Sequence, residues 1–173
     1  MGLRENSFKK FPNEYFIETG SYFGGGILLA IEAKFKNIIS IELSEKYYNI
    51  CKGNFKQHNN VHLYLGNSEV VLKEVIKNID KPITFWLDGH YSGGDTGRGE
   101  LICPLMVELD VIGNHPIKNH TILIDDLRLW KKPDVGFDVE DIINKLKGIN
   151  SWYNIDYIHG HVDNDVLVAH FGR

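Results

Sequence analysis

The fold is decided by the stretch Phe16-Ile-Glu-Thr-Gly-Ser-Tyr-Phe-Gly-Gly-Gly26, in which an apolar run passes through a glycine-rich turn into a helical pattern. Gly20 permits a tight turn, and Gly24 allows a ligand to approach the backbone. Turns between a strand and a helix are also rich in glycine for conformational reasons alone. A second element is therefore needed before this turn indicates a binding site.

An acidic residue at the end of the next apolar run supplies that element. Glu42 follows Ile41 there, and a carboxylate at this position can accept hydrogen bonds from both ribose hydroxyls of a nucleoside. A lone glutamate at a strand end is otherwise a solvated residue. A dinucleotide fingerprint would need glycine where Tyr22 stands, so an adenosyl ligand without phosphates is favoured over NAD.

Apolar runs and helical patterns alternate along the chain. Runs rich in β-branched and aromatic residues predict strands over 15–18, 37–43, 61–65, 83–88 and 121–125. Apolar residues at three- and four-residue steps predict helices over 26–34, 44–57, 67–78 and 100–112. The strands are continuously apolar, so we expect burial on both faces of a doubly wound, Rossmann-like α/β sheet.

The last part of the chain departs from this alternation. A helical pattern over 142–146 is followed by strands over 153–158 and 166–171, joined by the turn-rich stretch 160–165. This predicts an antiparallel hairpin at one edge of a mostly parallel seven-stranded sheet. A length of 173 residues suits one domain, which we expect to span residues 1–173.

Charge and hydropathy limit the partners. The net charge of −4 lacks the basic excess that binding to a phosphate backbone requires, so no nucleic-acid partner is expected. No apolar run approaches the roughly 20 residues that span a bilayer, and no signal-peptide core follows the first residues. We therefore expect no membrane partner and a cytoplasmic location. Cys51 and Cys103 lie in unrelated segments and are expected to be free thiols.

Two predicted strands end in carboxylates. Asp88 is the last residue of one, and Asp125 is the last residue of the next and is followed by Asp126. Parallel neighbours bring these ends to one edge, where three acids raise one another's pKa unless a cation neutralises them. Such oxygen ligands suit Mg²⁺ or Mn²⁺. Alternatively, Asp88 caps the following loop, and Asp125 and Asp126 cap a turn.

A histidine and a polar glycine-rich loop follow Asp88. His90 could accept a substrate proton or serve as a further ligand, although a loop histidine without chemistry is nearly as common. The candidate catalytic residues are therefore Asp88 and His90. In the loop, Arg98 could meet an anionic group of an acceptor, or the loop is an ordinary connection.

The segment Glu18-Thr-Gly-Ser-Tyr-Phe-Gly24 resembles the E-x-G-x-Y-x-G first motif of class I S-adenosylmethionine methyltransferases. The similarity is strongest to the metal-dependent catechol-type and macrolide-sugar O-methyltransferases, and it covers nearly the whole chain. It implies that the first acid and the glycine turn hold the methionine part of the cofactor, that Glu42 holds the ribose, and that Leu65-Gly66-Asn67-Ser68 lies beside adenine. The full cofactor-binding set predicted is Glu18, Gly20, Ser21, Tyr22, Gly24, Glu42, Leu43, Asn67, Ser68 and Asp88.

The same resemblance implies a metal role for Asp88, Asp125 and Asp126. Catechol-type enzymes place a lysine base three residues after the first of these acids, whereas this chain has Tyr91 there. His90, or Asp88 with a bound metal, would then have to deprotonate the acceptor.

The function implied is metal-assisted O-methylation of a small-molecule or sugar hydroxyl, with S-adenosylmethionine and Mg²⁺ or Mn²⁺ as cofactors. Only some fifteen residues precede the first strand, so the acceptor side could be open, could suit a glycan, or could be completed by a second copy in a homodimer. Two other functions stay open. One is a non-catalytic binding module on the same fold, and the other is a metal-dependent glycosyl-transfer or hydrolytic enzyme that uses the aspartate cluster.

Overall fold

The computed structural model describes residues 8–89, 103–130 and 135–172. Its strands form one seven-stranded sheet in the order β3-β2-β1-β4-β5-β7-β6. The strand bounds are β1 Tyr15–Thr19, β2 Asn37–Glu42, β3 Val61–Leu65, β4 Ile83–Leu87, β5 Thr121–Ile124, β6 Tyr153–Ile158 and β7 Val166–Phe171.

Strands β1 to β5 pair in parallel, and β7 runs antiparallel to both β5 and β6. The predicted doubly wound sheet with a terminal antiparallel hairpin is thus confirmed. Three parallel strands, β2, β4 and β5, end one residue earlier than predicted. Leu43, Asp88 and Asp125 instead follow the strands, at the carboxyl edge of the sheet.

The helices lie between the strands. Their bounds are α1 Gly25–Glu32, α2 Glu45–Asn54, α3 Ser68–Ile76, α4 Leu105–Asn114 and α5 Val139–Ile149, with short 3-10 helices at Phe8–Lys10 and Leu127–Leu129. Helix α5 begins three residues before the predicted start because Asp138 and Asp141 form a reciprocal capping box there. None of the helices in the described ranges is long and apolar enough to cross a membrane.

The sheet buries both faces of its central strands. Helices α1 and α2 pack on one face, with Phe16, Ile38 and Trp86 from the strands. Helices α3, α4 and α5 pack on the other face, over Ile17 and Phe85 among others. Because neighbouring residues of a strand point to opposite faces, the continuous apolar runs are needed to fill both layers.

Strand β3 departs from this pattern. We expected burial on both of its faces, but Tyr64 and Leu65 are 42% and 45% exposed. The expectation is wrong because β3 is the outermost strand and pairs with β2 alone. Its sequence Val61-His-Leu-Tyr-Leu65 also alternates, with Val61 and Leu63 packed against the α1–α2 face.

Two buried histidines join the starts of β4 and β5 at the edge opposite the strand ends described below. Nδ1 of His120 accepts a hydrogen bond of 3.1 Å from the backbone N–H of Ile83, so its proton lies on Nε2. That Nε2 lies 3.1 Å from Nδ1 of His115, whose own Nε2 contacts the carbonyl of Ile76 at 3.1 Å. The two rings therefore form a buried structural pair.

This histidine pair predicts a pH dependence of stability. Burial lowers the pKa of His120 from 6.5 to about 3, and the neighbouring His115 adds to the effect. As pH falls below 6.5 the unfolded chain takes up a proton that the folded chain refuses, so the free energy of unfolding decreases. In His120→Asn the amide oxygen still accepts from Ile83, but nothing titrates at that position.

We expect the wild type to lose about 1 to 2 kcal/mol more than His120→Asn between about pH 7 and about pH 5. Urea unfolding of both proteins at the two pH values measures the difference. Equal losses would show that His120 is protonated in the folded protein.

Candidate functional site

Backbone hydrogen bonds continue past the strand ends and align the turns that follow them. The N–H of Gly20 donates to the carbonyl of Ile41 at 2.9 Å, and the N–H of Asp88 donates to that of Thr19 at 3.2 Å. The N–H of Asp125 donates to the carbonyl of Leu87, also at 3.2 Å. The glycine turn and two of the three predicted metal ligands are thereby fixed along one carboxyl edge of the sheet.

Gly20 is required by this alignment. Its φ of +86° lies in the left-handed region, and a β-carbon on it would stand 2.5 Å from the carbonyl oxygen of Asp88. Only glycine tolerates both conditions. The tight turn predicted for Gly20 is present, and it lets the turn after β1 touch the turn after β4.

Gly24 has a different reason to be glycine from the one we expected. Its φ is +84°, and a β-carbon there would collide with the ring of Phe55. The missing side chain makes room for that ring from the end of α2, and the contact does not involve a ligand. The predicted contact of Gly24 with the cofactor stays a prediction.

Glu18 is buried beneath the glycine turn, with 1% of its surface exposed. The hydroxyl of Ser40 donates to its Oε1 at 2.6 Å and lies 2.5 Å from the hydroxyl of Ser21. Its Oε2 occupies the space where Gly26 lacks a side chain. Burial raises the pKa of Glu18 to about 8, the Ser40 hydrogen bond opposes that rise, and the charge of Glu42 adds to it.

Glu42 ties the glycine turn to β2 and to α2. Its Oε2 accepts hydrogen bonds of 2.9 Å from the backbone N–H groups of Ser21 and Tyr22. Its Oε1 accepts one of 2.7 Å from the N–H of Ser44, the residue before α2. A carboxylate offers about four acceptor positions. Three are used, so this arrangement leaves a position for one ribose hydroxyl where the sequence predicted two.

The turn also carries an aromatic group at the surface. Tyr22 has φ +48°, a left-handed conformation that strains a bulky residue. The hydrogen bond that its backbone N–H donates to Oε2 of Glu42 holds it, and its ring centroid lies 4.5 Å from that of Phe23 and 4.6 Å from that of Tyr47. Tyr22 and Phe23 are about half exposed, and Leu43 is partly exposed beside the same edge.

The segment after β3 forms a turn that caps α3. Asn67 precedes α3, and its side-chain oxygen accepts a hydrogen bond of 3.1 Å from the N–H of Glu69. This capping bond occupies the Asn67 oxygen. Ser68 is the first residue of the helix and is buried. The N–H of Gly66 donates to the carbonyl of Glu42, which holds this turn beside the first two.

The three predicted metal ligands converge. One carboxylate oxygen from each of Asp88, Asp125 and Asp126 lies within 4.8 Å of the others. Burial is the first cause that raises the pKa of Asp88 well above its usual value, and it raises that of Asp125 to about 6. The mutual repulsion that we expected comes second for both residues.

An arginine missed by sequence reasoning partly neutralises this cluster. The guanidinium of Arg128 forms ion pairs with Asp126 and with the fully buried Asp165. Asp165 also accepts hydrogen bonds of 3.1 Å from the N–H groups of Arg128 and His161. Arg128 and Asp165 are far apart in the sequence, so no local pattern signals the pair.

A second buried glutamate was also missed. Glu108 lies in α4 and is 1% exposed, and burial raises its pKa to about 7. It shares the spacing of the apolar residues Leu105, Leu109 and Ile112, which places it on the buried face of the helix. An acid on an apolar face is a readable signal. The predicted catalytic His90, together with Tyr91 and Arg98, lies outside the described residues.

No family model matches this sequence, and no curated protein does. Solved structures do share the fold. A proposed methyltransferase from Streptococcus mutans, crystallised with SAH, has a TM-score of 0.67 and 14% identity, over 99% of this chain and 100% of that one. A proposed caffeoyl-CoA O-methyltransferase from Staphylococcus aureus has a TM-score of 0.57 and 12% identity, over 96% and 79%. A proposed rRNA methylase from Clostridium thermocellum has a TM-score of 0.58 and 16% identity, over 95% and 92%. These likenesses show that the chain has the class I methyltransferase fold.

Because the carboxyl of Glu18 is buried, we expect the free energy of unfolding to be lower at high pH. Between about 4.5 and 8 the folded protein holds a proton on Glu18 that the unfolded chain has lost, so stability falls as pH rises through this range. Glu18→Gln removes the titrating group and keeps an oxygen for the Ser40 hydroxyl. Urea unfolding at about pH 5 and about pH 8 should show the variant gaining about 2 to 4 kcal/mol over the wild type across that interval.

The exposed Glu32 provides a matched control, because Glu32→Gln makes the same change in solvent. Its pH dependence should follow that of the wild type. If the free energy of unfolding of Glu18→Gln changes with pH in parallel with that of the wild type, Glu18 is ionised in the folded protein at neutral pH.

Proposed function

We propose that this chain is an S-adenosylmethionine-dependent methyltransferase that methylates a hydroxyl group with the help of a divalent cation. The observation that carries the proposal is the convergence of three features at one sheet edge. These are the left-handed glycine turn at Gly20, the buried carboxyls of Glu18 and Glu42, and the aspartate cluster after β4 and β5. The shared fold of solved methyltransferases supports this reading.

The residues of the turn fit an adenosyl cofactor. Glu18 lies under the turn and would offset the positive charge of the methionine amine, which would also lower the pKa that burial has raised. Glu42 keeps one acceptor position for a ribose hydroxyl. Gly20, Ser21, Tyr22, Gly24 and Leu43 would line the methionine and ribose parts, with Asn67 and Ser68 beside adenine and Asp88 beside the reacting group.

The aspartate cluster fits a hard divalent cation. Oxygen ligands of one Mg²⁺ or Mn²⁺ lie about 3 to 4 Å apart, close to the spacing of Asp88, Asp125 and Asp126. The positive charge of the ion would stabilise the ionised forms of Asp88 and Asp125, whose pKa burial raises. Arg128 would have to share Asp126 with the ion.

When bound, the cofactor supplies an activated methyl group and the cation lowers the pKa of the acceptor hydroxyl. The chain itself supplies position, because the backbone contact between Gly20 and Asp88 fixes the distance between the two halves of the site. Asp88 and His90 are the two candidate bases for the proton that the acceptor releases.

The acceptor is proposed to be a small molecule or a glycan. The net charge of −4 and the surplus of acids at the site favour a neutral or cationic acceptor over nucleic acid. A second copy of the chain could complete the acceptor side.

A non-catalytic module on the same fold is the second candidate. It is favoured by two observations: Glu42 is already engaged by three backbone amides, and Arg128 already pairs with Asp126. A glycosyl-transfer or hydrolytic enzyme built on the aspartate cluster would leave the buried pair of Glu18 and Glu42 without a purpose.

Calorimetry with S-adenosylmethionine and S-adenosylhomocysteine tests the cofactor. The wild type should bind both, and Glu42→Gln should bind each about 10- to 100-fold more weakly, because charged hydrogen bonds to a ribose hydroxyl and to the turn are lost. The exposed Glu32→Gln variant should bind as the wild type does. Unchanged affinity in Glu42→Gln would remove Glu42 from the site, and no binding by the wild type would favour the non-catalytic module.

Electron paramagnetic resonance of Mn²⁺ tests the cation. The wild type should bind one ion, and Asp125→Asn should weaken the binding at least about tenfold, since one anionic ligand is lost. Asp110→Asn is the matched control, because Asp110 lies in α4 and pairs with Lys145 at the surface. Cofactor affinity should change only a few fold in Asp125→Asn. Equal Mn²⁺ binding in all three proteins would contradict a metal site at this cluster.

A further inference from the structure

Among the buried polar atoms without hydrogen bonds, two lie together on the face of the sheet that α3 and α4 cover. Among the described residues, neither Oε1 of Glu108 nor Oγ1 of Thr19 has a partner. Burial raises the pKa of Glu108 and the nearby Ser68 and Thr19 hydroxyls oppose that rise, although neither hydroxyl forms a hydrogen bond to Oε1. An unsatisfied buried carboxyl oxygen costs free energy, so its retention calls for a reason.

Both atoms face the same point. A β-carbon on Gly89 would lie 3.2 Å from Oε1 of Glu108 and 3.2 Å from Oγ1 of Thr19. The absence of a side chain at Gly89 therefore leaves space beside these two buried atoms. Gly89 directly follows Asp88, so this space adjoins the aspartate cluster at which we propose the acceptor hydroxyl reacts.

A small recess lies at this point. Glu108 and Gly89 line it, and its other walls are the thiol residue Cys103 and the apolar or aromatic residues Leu87, Pro104, Leu105 and Trp130. It has room for about one water-sized group. Thr19 and Glu18 are neighbours on β1 and point to opposite faces, so this recess is separate from the pocket of Glu18 under the glycine turn.

From these contacts we infer that the recess binds the ammonium head of a primary amine, held by Oε1 of Glu108 and by Oγ1 of Thr19 against the wall formed by Trp130. An ammonium group is about the size of a water molecule, and it supplies both the N–H donors and the positive charge that the buried carboxyl lacks. An indole wall favours a cation over a neutral group.

The inference deepens the proposed function and rests on it in one respect, the nature of the acceptor. A hydroxyl compound that also carries a primary amine, such as an amino alcohol or an amino sugar, would be anchored by its amine at Glu108. Its hydroxyl could then be presented to the aspartate cluster. Amine binding itself does not require the cofactor or the cation.

The test is an NMR titration of the protein alone with methylammonium, and with methanol as the neutral molecule of the same size. The reporter is the indole N–H of Trp130. Two other tryptophans act as internal controls, because Trp86 is buried in the α1–α2 face and Trp152 is exposed. We expect methylammonium to shift the Trp130 signal saturably, to leave Trp86 and Trp152 in place, and to act more strongly than methanol.

Three variants assign the binding. Glu108→Gln should weaken methylammonium binding at least about tenfold, since a charged hydrogen bond is lost. Thr19→Val, which keeps the shape of the side chain, should weaken it less. The matched control is Glu32→Gln, which makes the same change at an exposed glutamate and should bind methylammonium as the wild type does.

A Trp130 signal that does not move would show that the recess takes water only, and equal shifts with methanol would show that it does not select a cation. Either result would overturn the inference, as would full methylammonium binding in Glu108→Gln. If S-adenosylhomocysteine does not bind in calorimetry, the proposed methyltransferase function is contradicted, but a positive methylammonium titration still supports the amine site. The failure of one proposal can therefore be told from the failure of the other.

Discussion

The carboxylate of Glu42 is the constraint on which the rest of the site depends. Its three hydrogen bonds, to the N–H groups of Ser21, Tyr22 and Ser44, fix the turn after β1 against the end of β2 and the start of α2. With the turn held, Gly20 can lie against the carbonyl of Asp88 and Tyr22 can keep its left-handed backbone. The Glu42 side chain thus holds the turn after β1, the end of β2 and the start of α2 in one fixed arrangement.

The site is electrostatically costly. Glu18, Asp88, Asp125 and Glu108 are all acids whose pKa burial raises, and the arginine at the cluster, Arg128, is shared between Asp126 and Asp165. A fold optimised for stability alone would replace such acids by apolar or amide side chains. Their concentration in one region is typical of a binding site, where cationic groups of a ligand neutralise negative charges that the protein itself does not neutralise.

Much of the fold could be predicted from the sequence, because each buried strand must fill two helix layers and therefore reads as a continuous apolar run. The bounds of β3, β6 and β7 coincide with the prediction, and the others differ at their ends. The start of α5 could not be read from apolar spacing, since the capping box of Asp138 and Asp141 precedes the apolar residues. The exposure of β3 depends on its place in the sheet, which the order of elements alone does not give.

The site was predictable where its residues follow strand ends and unpredictable where they meet across the chain. The aspartate cluster belongs to the first kind. The pairing of Arg128 with Asp165 and the packing of Phe55 against Gly24 belong to the second, because distant segments meet there. Glu108 lies between the two cases. Its place on an apolar helix face can be predicted from the sequence, but the lack of a hydrogen bond at its Oε1 cannot.

The most direct test of the account is a crystal structure of the protein with S-adenosylhomocysteine and Mn²⁺, recorded at a wavelength where manganese scatters anomalously. The account predicts the ligand along the carboxyl edge, with its amine at Glu18 and a ribose hydroxyl at Glu42, and an anomalous peak between Asp88, Asp125 and Asp126. An edge without ligand and without a manganese peak, at concentrations that saturate solved methyltransferases, would contradict it.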